Sequence, residues 1–148
     1  MKLAKILLTS DLSEESLRAF APVAELAAER GATIELLHVV DDVPIPPAGA
    51  PLAPPLHAPD LSASVEAAKR KLDEQRLALD PALTVETNVL VAATPAEAIC
   101  EHATTSGADL IAMSTHGRTG FRRFVLGSIT EGVVRHAHVP VLIFPRIK

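Results

Sequence analysis

The sequence predicts an α/β fold, a single-domain open parallel five-stranded sheet with helices on both faces, and three observations carry that reading. Short aliphatic runs alternate with stretches of helical spacing, and the chain opens on a strand, helix, strand unit. Right-handed crossovers then leave few other topologies. Of the 148 residues 48% are hydrophobic but only 3% aromatic, with four Phe and neither Trp nor Tyr, so the core is aliphatic. The length fits one domain, 1–148, and burial of roughly 70% of the unfolded surface needs no disulfide or structural metal. The lone Cys100 cannot form an internal bridge.

Each element has a local cause. Lys5 to Ser10 is an apolar run that reads as a strand buried on both faces. Ser13-Glu14-Glu15 starts a helix with a capping hydroxyl and acids in its first turn, and Arg30-Gly31 closes it. Thr33 to Val40 is the second strand. Residues 43–60 hold seven of the twelve prolines and read as a loop excursion within the domain rather than a linker. Leu61 to Leu79 is a helix with Lys69-Arg70-Lys71 on its outer side, ended by Asp80-Pro81, and Thr84 to Val91 is a strand.

Thr94-Pro95-Ala96-Glu97 places a hydroxyl cap, a proline and an acid at the start of a third helix, whose buried stripe Ile99, Cys100 and Ala103 makes the cysteine a core thiol. Asp109 to Ser114 is the fourth strand. Ser128-Ile129-Thr130-Glu131 reads as a capping box for a helix to His136, and Val139 to Phe144 is the last strand, apolar on both faces.

Composition excludes several functions. A net charge of −4 and a pI near 5.8 argue against a polyanion binder, and so few aromatics argue against stacking of nucleic-acid bases. Residues 115–148 nevertheless carry a net +5 while the rest carry −9, and Arg118, Arg122 and Arg123 lie close to glycines. The apolar run Ile6-Leu7-Leu8 is too short for a signal peptide, and nothing approaches a membrane helix, so the expected setting is the cytoplasm, with neither nucleic acid nor membrane as partner.

Open parallel sheets bind ligands at the carboxyl ends of their strands, where the winding reverses. Two segments compete for that place: Thr9-Ser10-Asp11 after the first strand, and Ser114-Thr115-His116-Gly117-Arg118 after the fourth, leading to Gly127-Ser128 at a helix start. Glycines there let the backbone approach an anion, and the helix start offers unpaired N–H groups. Neither a Walker A loop nor GxGxxG occurs. Asp11 has a second reading as a cap for the helix near Ser13, His38 reads as a hydrogen-bonded packing residue, and His136 complements a helix end. No metal cluster is convincing.

Ser114-Thr115-His116-Gly117, nine residues and then Gly127-Ser128 resemble the G-x2-G-x9-G-[ST] nucleotide loop of the universal stress protein family, UspA-like and of the ATP-binding subgroup. The likeness continues in Asp11-Leu12-Ser13, Leu37-His38-Val39, Thr94-Pro95 and Val139-Pro140-Val141-Leu142. It implies a Rossmann-like fold of strand order 3-2-1-4-5 that binds ATP or another adenine nucleotide, with Mg²⁺ as its companion ion. It also implies a site formed by Thr9, Ser10, Asp11, Val39, Met113, Ser114, His116, Gly117, Arg118, Gly127, Ser128 and Ile129, and a homodimer through the last strand. Ser114 stands where the motif has its first glycine, which requires an accessible φ and room for Cβ. The implied role is regulatory; a slow ATP hydrolase or phosphotransfer enzyme, and a dimeric stress protein without nucleotide, are the alternatives.

Overall fold

The computed structural model describes residues 2–42, 60–115 and 126–145. The expected loop thus lies outside the described residues apart from Asp60. Five strands, β1 (Lys5–Thr9), β2 (Thr33–Asp41), β3 (Val85–Ala92), β4 (Leu110–Ser114) and β5 (Val141–Phe144), form one sheet of order β3-β2-β1-β4-β5. All four pairings are parallel, with Leu7 of β1 opposite Glu35 on one side and Ile111 on the other. The winding reverses between β1 and β4, which opens a crevice at their carboxyl ends.

Four helices cover the sheet: α1 (Phe20–Arg30), α2 (Leu61–Arg76), α3 (Pro95–Thr105) and α4 (Ser128–His136). Strand alternation divides the apolar residues between two layers. Ile6, Leu8, Ile34, Leu36 and Ala112 pack with Phe20, Val23 and Ala27 of α1 and Leu72 of α2. Leu7, Leu37, Ile111 and Met113 pack with Ile99, Cys100 and Ala103 of α3 and Val133 of α4. Cys100 is a buried thiol whose pKa is pushed up by burial and by nearby Glu97. Among the described residues no helix is long and apolar enough to cross a membrane.

Several boundaries differ from expectation. The first helix is split: Glu14–Ala19 is a 3-10 segment, capped by the Ser13 hydroxyl accepting the Ser16 N–H, and α1 follows it. Gly31 ends α1 in the left-handed region at φ 63°, where glycine is at ease. The second helix ends at Arg76 rather than Leu79, because the N–H groups of Leu77, Ala78 and Leu79 reach back only three residues and tighten the chain into turns. Its unforeseen cap is Asp60, which accepts the N–H groups of Ser62 and Ala63.

Two expected caps are corrected. The Thr94 hydroxyl donates to the Glu97 carboxylate at 3.0 Å instead of capping an amide. In α4 the cap is Gly127, whose carbonyl accepts the Glu131 N–H at 2.9 Å, and Ser128 is the first helical residue. β5 begins at Val141, two residues later than expected, although the Pro140 carbonyl already accepts the Ile111 N–H at 3.0 Å.

Candidate functional site

The carboxyl ends of β1, β2 and β4, the N-terminus of α4 and one side of α2 surround a cavity of about 630 Å³. It brings together Thr9, Ser10, Asp11, Val39, Met113, Ser114, Gly127, Ser128 and Ile129, residues from three distant parts of the chain. His116, Gly117 and Arg118 lie outside the described residues.

β1 ends in buried Thr9, and buried Ser10 follows it with its N–H tied to the Leu37 carbonyl at 2.8 Å. The chain then turns through Leu12 at φ 66°, a left-handed conformation that costs a leucine energy. Asp11 stands in this turn. Its Oδ1 accepts both the N–H and the hydroxyl of Ser13, at 3.0 and 2.5 Å, so the carboxylate braces the residue that caps the 3-10 segment without being the cap itself. Its Oδ2 is buried with no hydrogen-bond partner among the described residues and belongs to a residue lining the cavity. A carboxylate oxygen so placed favours a donor brought by a ligand.

Across the crevice, β4 ends in Ser114, paired with Phe144, and its backbone is free of the positive φ that would demand glycine. Serine is therefore accommodated there. The Thr115 carbonyl accepts the Gly127 N–H at 3.2 Å, and the Ser114 carbonyl accepts the Thr130 hydroxyl at 3.4 Å; these bonds hold the start of α4 against the end of β4. A Cβ on Gly127 would meet the Thr115 carbonyl at 3.3 Å, so this approach favours glycine. The first N–H groups of α4 have no acceptor within the helix and sit at the positive end of its dipole. Ser128, Ile129 and Thr130 carry them to the cavity wall.

His38 is a packing residue whose Nδ1–H donates to the Ser10 carbonyl at 2.7 Å, and it also lines the cavity. His136 bonds the Gly132 carbonyl through Nδ1 at 2.8 Å. Among the described residues no group of three or more His, Cys, Asp or Glu could hold a metal ion. Sequence reasoning missed the contribution of α2, whose Ser64, Ala67 and Lys71 border the cavity. Lys71 is exposed, as expected of the outer side, and borders the cavity as well; its place four residues from Ala67 and three from Ala68 is the sequence signal for that.

The sequence model of the universal stress protein family matches residues 2–145. The chain belongs to the universal stress protein family. It is 33% identical over 144 residues to universal stress protein MJ0531 of Methanocaldococcus jannaschii, covering 97% of this chain and 83% of that one. A second member from that organism, MJ0577, is 29% identical over 154 residues, covering 96% and 94%. The solved structure of MJ0577 superimposes with a TM-score of 0.80 over 100% of this chain and 99% of that chain. A universal stress protein in complex with cAMP shares the fold at a TM-score of 0.60 and 23% identity, covering 98% of each chain.

Proposed function

We propose that this universal stress protein binds an adenine nucleotide, ATP with Mg²⁺, in the cavity at the ends of β1 and β4, and that occupancy regulates which partners it engages under stress. The observation that carries the reading is the buried Oδ2 of Asp11, without a hydrogen-bond partner among the described residues, at a cavity whose opposite wall is the N-terminus of α4. Val39 and Met113 offer apolar surface to a base, Asp11 a hydroxyl acceptor, and Ser128 and Ile129 N–H groups to phosphates that Gly127, its own N–H held by Thr115, lets approach. His116, Gly117 and Arg118, which belong to the same motif, would complete the phosphate side. A cavity of about 630 Å³ is in the range of small-molecule sites, and a protein of the same fold binds cAMP. Mg²⁺ would be carried by the phosphates, with few protein oxygens.

The protein acts as one domain, in the cytoplasm, and as a homodimer through β5. Leu142 and Phe144 pack toward one layer of the core and Val141 and Ile143 toward the other, while one edge of the strand has no neighbour among the described strands. Calorimetric titration with ATP and Mg²⁺, followed by an assay for released phosphate, tests the reading. Binding without turnover is expected. Release of phosphate at a steady rate would make the protein an ATP hydrolase, and no heat at about millimolar nucleotide would leave a stress protein without nucleotide.

A further inference from the structure

The turn that carries Asp11 is clamped from a helix 65 residues away along the chain. Gln75 of α2 reaches it through both ends of its side-chain amide. Its Nε2 donates to the Ser13 carbonyl at 3.2 Å, and its Oε1 lies 2.5 Å from the Ser10 hydroxyl. The Ser13 carbonyl can only accept, so the amide orientation is determined and the Ser10 hydroxyl is the donor to Oε1. With its proton given to Gln75, Ser10 Oγ accepts the Leu12 N–H at 3.0 Å and lies 2.9 Å from Ser16 Oγ. Ser10 and Ser16 are 6% and 1% exposed, so these bonds are made away from water.

Gln75 thus grips residues on either side of Asp11, at positions 10 and 13, rather than hydrogen-bonding to Asp11 itself. Asp11 Oδ1 is occupied by Ser13, the residue that Gln75 holds, and Oδ2 has no partner among the described residues. One turn before Gln75, Lys71 borders the cavity, so the same helix walls the site and holds its acidic turn.

We infer that Gln75 is a positioning residue of the ligand site, fixing the turn after β1 so that Asp11 Oδ2 meets the ligand. The inference rests on the nucleotide-binding reading above. A purely structural Gln75 would support folding and leave affinity alone; a positioning Gln75 acts only through Asp11.

A double-mutant cycle separates the two roles. Wild type, Gln75→Met, Asp11→Ala and the double variant are titrated calorimetrically with ATP and Mg²⁺ at a temperature where each is folded by circular dichroism. Gln75→Met removes both polar ends with little change in length. It is expected to weaken binding about fivefold when Asp11 is present and less than about twofold in the Asp11→Ala background. Gln75→Glu, which keeps the acceptor for Ser10 and loses the donor to Ser13, serves where Gln75→Met does not fold, and is expected to show a smaller loss with the same dependence on Asp11. Unchanged affinity in a folded Gln75 variant, or an equal loss in both backgrounds, would overturn the inference while leaving the nucleotide site standing. No binding by the wild type would remove the nucleotide reading and the inference with it.

Discussion

Gly132 of α4 faces Ala96 of α3 with no room for a side chain between them: a Cβ on Gly132 would stand 2.6 Å from the Ala96 Cβ. The two helices meet through this pair beside the cavity, so their separation sets where the first turn of α4 stands. In Gly132→Ala the gain in helix propensity, about 1 kcal/mol, is outweighed by overpacking of about 1–3 kcal/mol. We expect a net loss of about 1 kcal/mol in urea unfolding, much of it recovered by adding Ala96→Gly. Equal stability of Gly132→Ala and wild type would mean that the helices separate freely.

Gly127 makes a second close approach, and its consequence concerns binding rather than folding. A valine there would press on the Thr115 carbonyl and spread the junction between β4 and α4. Gly127→Val is expected to weaken ATP binding at least tenfold, about 1.4 kcal/mol, while circular dichroism remains that of wild type. Unaltered affinity would place the phosphates elsewhere.

Glu35 gives stability a dependence on pH. It is 5% exposed in β2, paired with Lys5 Nζ at 2.6 Å and His102 Nε2 at 2.5 Å, and it accepts from Asn88 at 3.2 Å. Burial alone would raise its pKa, but the bonds from Lys5, His102 and Asn88 together lower it below the ordinary 4.5. A lowered carboxyl pKa contributes stability above the ordinary value, and that contribution fades as pH falls through the folded one. Wild type should therefore lose stability as pH drops below about 4.5, and Glu35→Gln, less stable by about 1–3 kcal/mol at neutral pH, should show a shallower decline. Parallel melting curves from pH 7 to about 3 decide it; identical slopes would exclude Glu35 as a source.

The edge of β5 that has no neighbour among the described strands can be blocked without breaking the sheet. The carbonyls of Pro140 and Phe144 accept from Ile111 and Thr115 of the β4 side, so by strand alternation the N–H and C=O of Val141 and Ile143 point outward. Proline at 141 deletes an outward N–H, which an edge strand tolerates. Val141→Pro should give a 15.6 kDa species in light scattering in place of the proposed dimer, with secondary structure retained. A dimer of undiminished stability in that variant would put the interface elsewhere.

Five strands and four helices were legible because each carries a local signal: aliphatic runs for β1, β2 and β4, Pro95 for α3 and Gly31 for the end of α1. Caps were less so. The Thr94 hydroxyl had two partners within reach and took Glu97, and Gly127 became the cap of α4 because its N–H is tied to Thr115, twelve positions back along the chain. In the candidate site, Asp11 and Gly127-Ser128 belong to compact motifs at strand ends and could be named. Lys71, Gln75 and the partners of Glu35 could not, since their positions depend on which helix crosses which strand. No periodicity distinguishes Lys71 beside a cavity from Lys69, which pairs with exposed Glu66.

The charges around Glu35 lie toward the amino end of the sheet, where Lys5 also reaches the Ser106 carbonyl and Asp109 accepts the N–H groups of Ala4 and Lys5. Strand register is thereby fastened at the end remote from the cavity. A visitor at the open end finds the central strands already aligned, and only turns and helix starts have to adjust. Association need not organise the framework, so little conformational freedom is lost there.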